Sequence, residues 1–390
     1  MWADILHTLY VICVVEGSIR PNIIFIMADD LGYQDVGFRG SSIPTPHIDR
    51  LARGGVILNN HYVMPQCSPT RASFLTGKSP VNLGTWWGNL KPGQQGGLDL
   101  KERTMGDMMS KHGYKTHLVG KWHLGMFTPE YTPVLRGFST FLGMYLGSGH
   151  YFNHTNGGAF DMRYNYLDSR GSLVDRVMLE LDGQFSTHIY TNRTVDIIKE
   201  HSRVYGNSTT TPFFIYLSYQ APHGPYMVHA DCKDTLRNKK MPTQRKTYAG
   251  MVKCMDDGIG RVVRELEDHY FLDNTLIVFS SDNGAILDKP GSNFPLRGGK
   301  KDYFEGGIRS VAFVNGNMLK VRGVVNKHLH HVMDWYPTFE YLATGVDWTT
   351  RRTARTREMT GLNIWESINS GVKCRDAVSN SITTGCLFVS

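Results

Sequence analysis

The sequence predicts an α/β fold built around a mostly parallel sheet, and two observations support this prediction. Segments with the continuous apolar character of buried strands alternate along the chain with helical segments. Several of the strand segments also end in polar residues, as in open α/β sheets whose ligands bind beyond the carboxyl ends of the strands. We therefore expect a sheet covered by helices on both faces, with a site along one edge.

The individual elements follow from local patterns. Residues 22–27 (NIIFIM) form an apolar run rich in isoleucine, which is typical of a strand buried on both faces. The segment Thr45–Gly54 has a capping threonine, a proline at the first helical position and a terminal glycine, so it predicts a short helix. Further strands are predicted at Lys115–Val119, Pro212–Tyr219 and Thr275–Ser280, and further helices at Thr104–His112, Asn192–Tyr205 and Tyr248–His269.

The composition is that of an ordinary globular protein. The chain has 390 residues with 41% hydrophobic content and a formal net charge of +7, which is enough material for one large core or two ordinary ones. Lysine and arginine are scattered rather than gathered into runs, so nucleic acid is not expected as a partner.

The first 17 residues resemble a signal peptide, although no lysine or arginine precedes the apolar run Leu9–Val15. That run is too short to span a membrane, and we expect no transmembrane segment. Three glycosylation sequons agree with a secretory route, at Asn153, Asn192 and Asn207.

The cysteines support the same route. If Cys13 leaves with the signal peptide, five remain, and an odd number leaves one thiol unpaired in a secreted protein. Cys232 with Cys254, and Cys374 with Cys386, are candidates for two local bridges. Cys67 would then be the unpaired thiol.

Two predicted strands end in hard oxygen ligands. Asp29 and Asp30 follow the first strand, and Asp282 and Asn283 follow the last. Carboxylate and amide oxygens suit Ca²⁺ or Mg²⁺ better than zinc. The alternative is that these are turn residues after strands, which such pairs often are. Because both pairs occupy equivalent strand ends, we favour the metal site.

Two other strands end in candidates for acid–base chemistry and anion binding. His123 and His223 are candidate acid–base groups, and Lys121 is a candidate anion-binding group on the same side of an extended segment as His123. Lys300 lies in a glycine-rich loop and is a further candidate. Each of these residues also has a purely structural interpretation, as a core histidine or a solvated lysine.

Cys67 lies in the sequence QCSPTR, which has no second cysteine or histidine at the spacing of a zinc ligand. Arg71 follows four residues later, and a helix that began at Cys67 would place both side chains on one face. The motif, continued by residues 75–77 (LTG), resembles the Cys-x-Pro-x-Arg signature of type I sulfatases. Residues 120–125 (GKWHLG) resemble the second signature of that family, and residues 296–300 and 334–338 resemble its arylsulfatase B, I and J group.

The resemblance implies an alkaline-phosphatase-like three-layer sandwich with a catalytic domain over residues 18–345. It also implies that Cys67 is oxidised to formylglycine by the formylglycine-generating enzyme, and that Pro69 and Arg71 belong to the motif which that enzyme reads. Ca²⁺ would then be bound by Asp29, Asp30, Asp282 and Asn283 together with the residue made from Cys67.

The resemblance implies the remaining roles as well. Arg71 and Lys121 would hold the formylglycine, Lys121, His223 and Lys300 would bind sulfate, His123 would act as a base, and His223 would protonate the leaving alcohol. The implied substrates are sulfated carbohydrates or aryl sulfates, and the implied location is lysosomal or extracellular.

Two features depart from the family pattern. Relatives continue much further beyond the equivalent of residues 361–365, whereas residues 346–390 here read as a remnant of a C-terminal subdomain with an unmatched tail. The cysteines that relatives carry after Trp87 are also absent. A truncated, non-catalytic paralogue that binds sulfated glycans is therefore one alternative. A phosphoesterase on the same scaffold is another.

Overall fold

The computed structural model describes residues 20–85, 88–350 and 359–375, and the backbone of two short strands at 378–379 and 388–389. Its main feature is a ten-stranded mixed sheet with the strand order β12-β2-β11-β10-β1-β9-β3-β4-β7-β8. The five central strands, from β10 to β4, are parallel to one another, and antiparallel pairs flank them on both sides.

The strands of the described residues are β1 Asn22–Ala28, β2 Val56–Tyr62, β3 Lys115–Lys121, β4 Thr140–Met144, β5 Thr155–Asn156, β6 Ala159–Phe160, β7 Arg163–Leu167, β8 Leu173–Val177, β9 Phe213–Ser218, β10 Thr275–Ser281, β11 Ala312–Asn315, β12 Val324–His331, β13 Val378–Ser379 and β14 Phe388–Val389. Their α-helices are α1 Pro46–Gly54, α2 Cys67–Thr76, α3 Met105–Lys111, α4 Ser186–Tyr205, α5 Ala230–Asp234, α6 Thr243–Asp268, α7 Glu305–Ile308, α8 Trp335–Thr344 and α9 Trp365–Ser370.

Helices cover both faces of the sheet, which gives three layers. Strand β1 shows why, because its residues alternate between two apolar clusters and are all buried. Ile24 and Ile26 pack in the cluster that includes apolar residues of α1, α4 and α6. Ile23 and Phe25 pack in the cluster that includes apolar residues of α2, α3, α8 and α9. The predicted α/β class with a mostly parallel mixed sheet is confirmed.

The four predicted strands are neighbours in the sheet, in the order β10-β1-β9-β3. Ala28 pairs with Ser281, and Met27 and Gly120 both pair with Ser218, so the carboxyl ends of all four strands lie side by side. Two helices begin earlier than predicted. The first turn of α6 after Pro242 reads TQRK, and its lack of apolar residues gave no periodicity to detect.

The predicted bridge between Cys232 and Cys254 is present and links α5 to α6. Cys67 and Cys374 carry free thiols among the described residues. The possible partner of Cys374, Cys386, lies outside the described residues, as do Cys13 and the predicted signal peptide. In the described part of the chain, no helix is both long enough and apolar enough to cross a membrane.

Candidate active site

The carboxyl ends of β1 and β10 bring four oxygen-bearing side chains together. Asp29 and Asp30 follow β1, Asp282 and Asn283 follow β10, and all four are buried. The Asp30 backbone is in the left-handed region, with φ of 61°, a conformation that aspartate tolerates better than most residues. Its N–H donates to Asp282 Oδ1 at 3.2 Å, and its carbonyl accepts from Tyr248 at 3.2 Å. The first contact holds the two strand ends together, and the second ties the end of β1 to α6.

Helix α2 begins at Cys67 and presents its first turn to this cluster. Cys67 is 1% exposed, and its thiol donates to Asp29 Oδ1 at 3.4 Å. Arg71, one turn later, is fully buried and forms an ion pair with Asp282 at 2.8 Å. The same guanidinium donates to the hydroxyls of Ser218 and Tyr216 on β9. The predicted one-turn spacing of Cys67 and Arg71 is confirmed.

Strand β3 contributes Lys121, whose ammonium lies 2.6 Å from Asp29 Oδ2 with both side chains fully buried. Gly120 precedes it with φ of 108°, and a Cβ there would lie 1.9 Å from the carbonyl oxygen of Ser218, so only glycine fits. The strand does not continue in extended form to His123, as the sequence had suggested. His123 has φ of 56°, which turns the chain toward the cavity above Cys67.

Lys300 is part of this site. Its Nζ lies 2.7 Å from Asp30 Oδ1 and 3.3 Å from the sulfur of Cys67. Burial raises the pKa of the Cys67 thiol to about 12, and the charges of Asp282 and Asp29 add to the shift. A thiol with that pKa is almost fully protonated at neutral pH, so the unmodified cysteine is a poor nucleophile.

The carboxylate of Asp29 remains ionised in spite of its burial. Burial by itself would raise its pKa, but the charges of Lys121 and His223 outweigh that effect and lower it. The three carboxylates of the cluster face three cationic side chains, namely those of Lys121, Arg71 and Lys300. A divalent cation added to this balanced set would leave excess positive charge for an anion.

The two site histidines are fixed through opposite ring nitrogens. His123 Nε2 lies 3.0 Å from the carbonyl of Leu90, and a carbonyl only accepts, so Nε2 carries the proton and the buried Nδ1 is a bare acceptor. Burial, followed by the charge of Lys121, lowers the His123 pKa well below its usual value. In His223 the Nδ1 donates to the carbonyl of Gly224, while Nε2 points toward Asp30 Oδ2 at 3.6 Å.

The oxygen cluster fits a hard divalent cation. Asn283 donates its amide hydrogens to Asp30 and to a backbone carbonyl, which leaves its buried Oδ1 with no hydrogen-bond donor among the described residues. The buried Asp30 Oδ2 likewise accepts no hydrogen bond from the described residues. Ligand atoms of Asp29, Asp30, Cys67 and His223 lie within 4.8 Å of one another. Buried oxygens without donors are costly unless a cation satisfies them.

A family model described as Sulfatase matches residues 21–346, which is most of the chain and includes every residue of this site. The chain belongs to the sulfatase family. It is 39% identical over 363 residues to mouse arylsulfatase J, and 32% identical over 339 residues to human N-acetylgalactosamine-6-sulfatase. These alignments cover 92% and 83% of this chain but 57% and 62% of the relatives, so it spans little more than half the length of each.

Solved structures agree with the family assignment. The crystal structure of Ps i-CgsB has a TM-score of 0.79 and 33% identity, and the match covers 91% of this chain and 77% of that one. The PsFucS1 sulfatase from Pseudoalteromonas sp. has a TM-score of 0.77 and 26% identity, and the match covers 92% of this chain and 74% of that one. The predicted alkaline-phosphatase-like sandwich is confirmed.

This site gathers every catalytic and metal-binding residue predicted from the sequence. The roles of those residues stay predictions, and one detail of the contacts differs from the implied arrangement. In the structure Lys300 contacts the sulfur of Cys67, whereas Lys121 reaches Asp29 and Arg71 reaches Asp282. The three sequon asparagines are exposed, as glycosylation requires.

Sequence reasoning missed the walls of the cavity above Cys67. This cavity has a volume of about 500 Å³ and lies over Cys67, His123 and His223. Its other lining residues come mostly from loops and include Asn89, Lys91, Ser148 and Lys301, together with Asn156 of β5. The one sequence feature that could have indicated a loop over the site is the glycine-rich segment 88–97, which precedes the GKWHLG segment.

Proposed function

We propose that this chain is the catalytic part of a sulfatase that hydrolyses sulfate esters of sugars. The observation that carries the proposal is the position of Cys67. The cysteine of the Cys-x-Pro-x-Arg motif lies at the start of α2, against Asp29 and Lys300, at the floor of a cavity that His123 and His223 also line. Family membership gives the reaction class, and this arrangement supplies the groups that the reaction needs.

The proposed cation is Ca²⁺, held by Asp29, Asp30, Asp282 and Asn283 beside the residue made from Cys67. Asp30 Oδ2 and Asn283 Oδ1 support this set, because they are hard oxygens in a buried cluster that accept no hydrogen bond from the described residues. When bound, the cation would polarise sulfuryl oxygens and favour charge that develops on them.

Formylglycine, made from Cys67, would supply a hydrated aldehyde whose hydroxyl is the nucleophile. The chain's own residues then provide proton transfer. His123 Nδ1 is a bare acceptor that faces no competing donor among the described residues, which suits a base. His223 keeps its Nδ1 proton on Gly224, so a proton on Nε2 is the one it can give to the leaving oxygen.

Lys121, Lys300 and His223 are the proposed sulfate-binding residues. Both lysines have short contacts with carboxylates of the oxygen cluster, which hold the ammonium groups beside Cys67. Preorganised cations of this kind stabilise negative charge in a site that excludes water, since they need not reorient during the reaction.

Maturation by the formylglycine-generating enzyme must then precede folding. Cys67 is 1% exposed and Arg71 is fully buried, so the motif is hidden in the folded chain. An enzyme that reads both residues requires the segment in extended form. We propose that modification takes place during entry into the secretory pathway.

A lysosomal or extracellular location agrees with this route. The Cys232–Cys254 disulfide is of the kind that persists in oxidising compartments. Asn153, Asn192 and Asn207 are exposed and available for glycosylation.

Sugar esters are the proposed substrates because two relatives point that way. The similar human enzyme is an N-acetylgalactosamine-6-sulfatase, and Ps i-CgsB has been solved in complex with k-i-k-neocarrahexaose. The alternative of a non-catalytic glycan-binding paralogue keeps the cavity but needs no intact site. The complete set of contacts around Cys67 speaks against it.

Mass spectrometry of the peptide that contains Cys67, after secretion from a eukaryotic host, tests the proposal together with sulfate release. We expect formylglycine at position 67, release of sulfate from a sulfated sugar, and no release by Cys67→Ala. A fully active protein with an unmodified thiol would refute the mechanism. A modified protein that releases phosphate but no sulfate would favour the phosphoesterase.

A further inference from the structure

The wall of the active-site cavity carries two lysines that the proposed chemistry does not use. Lys91 comes from the loop at 88–97, and Lys301 comes from the segment that precedes α7. Both side chains are exposed and line the same cavity as Cys67. The buried cations Lys121 and Lys300 lie beneath the cavity, in the cluster around Cys67, whereas Lys91 and Lys301 are solvated and line the cavity itself.

Among the described residues, Lys91 and Lys301 differ from the buried lysines in having no counterion. Lys121 and Lys300 each form an ion pair with an aspartate. Neither Lys91 nor Lys301 has an ion pair with any carboxylate of the described residues, and no acidic residue is among those that line this cavity. Two unpaired ammonium groups at the entrance of a cleft concentrate positive potential there.

The backbone fixes the position of Lys301. Its φ is 78°, a left-handed value that few residues other than glycine adopt, and its N–H donates to the carbonyl of Pro65 at 2.8 Å. That hydrogen bond ties the start of the Lys301 side chain to the segment that leads into α2. The backbone from which the Lys301 side chain extends is thus fixed relative to the segment that carries Cys67.

We propose that Lys91 and Lys301 form an anionic subsite, which binds a second acidic group of the sulfated substrate. The inference rests on the proposed function, in which the buried lysines bind the scissile sulfate. A cavity of about 500 Å³ has room for a sugar beyond that sulfate. The second anion is a carboxylate or a further sulfate on the same or the next sugar, so the preferred substrate is an acidic oligosaccharide.

The test compares binding of two forms of one ligand to the Cys67→Ala protein, which does not turn over. The ligands are a sulfated uronic acid–hexosamine disaccharide and its carboxyl methyl ester, which differ by one negative charge. We expect the acid to bind up to about 25-fold more tightly, at about fivefold for each lysine. Comparing a disulfated methyl ester with the monosulfated ester tests whether a second sulfate strengthens binding as much as a carboxylate does.

Lys91→Ala and Lys301→Ala are then both added to the Cys67→Ala protein. In that protein the acid and its ester should bind almost equally, and so should the disulfated and monosulfated esters. The matched control is Lys320→Ala, an exposed lysine that follows β11 at the opposite edge of the sheet and should preserve both ratios. Raising the salt concentration should weaken the preference, because exposed charges are screened.

Equal affinities for every member of the ligand pairs would overturn the inference. So would a preference that survives the double substitution, or one that Lys320→Ala reduces equally, since that would be an effect of net charge. These outcomes are independent of the proposed function, which sulfate release by the unsubstituted protein tests separately.

Discussion

Replacement of His223 by alanine should slow the hydrolysis of sugar sulfates much more than that of aryl sulfates. The His223 Nδ1 proton is held by the Gly224 carbonyl, so only Nε2, which lies 3.6 Å from Asp30 Oδ2, can exchange a proton with substrate. A sugar alkoxide is a poor leaving group and needs that proton in the transition state. The nitrophenolate of 4-nitrophenyl sulfate leaves readily without it.

The magnitude follows from what the substitution removes. Loss of a general acid typically costs on the order of 10²–10⁴-fold in rate where the proton is needed. Loss of one partly solvated contact to sulfate raises KM by at most about fivefold for either substrate. We therefore expect kcat on a sulfated sugar to fall about 10²-fold or more, and kcat on 4-nitrophenyl sulfate to change far less.

Steady-state kinetics with both substrates supply the assay, and kcat is the fair comparison because KM also includes sulfate binding. His328→Ala, on the edge strand β12 and outside the cavity, is the matched control and should leave both kcat values unchanged. Equal losses of kcat on the two substrates would refute the reasoning. His223 would then only position sulfate, and another group such as Lys300 would supply the proton.

Three further predictions concern the metal, the buried ion pair and pH. The purified protein should contain one divalent cation, Ca²⁺, that Asp282→Ala loses, and elemental analysis that finds zinc, or no metal in active protein, would contradict this. In metal-free protein, Arg71→Met should lower the free energy of unfolding by about 3–5 kcal/mol because it leaves the buried Asp282 unpaired, and urea titrations should show partial recovery when Asp282→Asn is added. Burial raises the pKa of Asp256 to about 7, so its neutral form stabilises the fold at low pH and that contribution is lost as pH rises through 7. Asp256→Asn keeps the acceptor for the Ile48 N–H, and its stability relative to the unsubstituted protein should increase by about 2–4 kcal/mol between pH 4 and 8; a constant difference across that range would contradict the shift.

The central sheet was predictable because its strands carry their own signal. A strand buried on both faces must be apolar throughout, and residues 22–27, 213–218 and 275–280 satisfy that condition. The flanking strands β7 and β8 consist mostly of half-buried and exposed residues. Their sequences therefore did not stand out from those of loops. The mixed edges of the sheet were therefore outside what the sequence pattern could show.

The same geometry explains why the metal-binding oxygens could be located in advance. Parallel strands in register end at the same edge, so residues that follow β1 and β10 are close whatever the loops do. The contacts among them were not predictable. That Lys300 reaches the sulfur of Cys67 depends on how the glycine-rich loop folds over the site, and no periodicity records that path.

The histidines show most clearly where sequence information ends. His123 and His223 are both histidines after a strand, and nothing in their neighbouring residues distinguishes an acid from a base. The distinction comes from two backbone carbonyls, because the Leu90 carbonyl accepts a hydrogen bond from Nε2 of His123 and the Gly224 carbonyl accepts one from Nδ1 of His223. The folding of two loops thus decides which ring nitrogen is left for the substrate, and the chemical roles follow from that nitrogen.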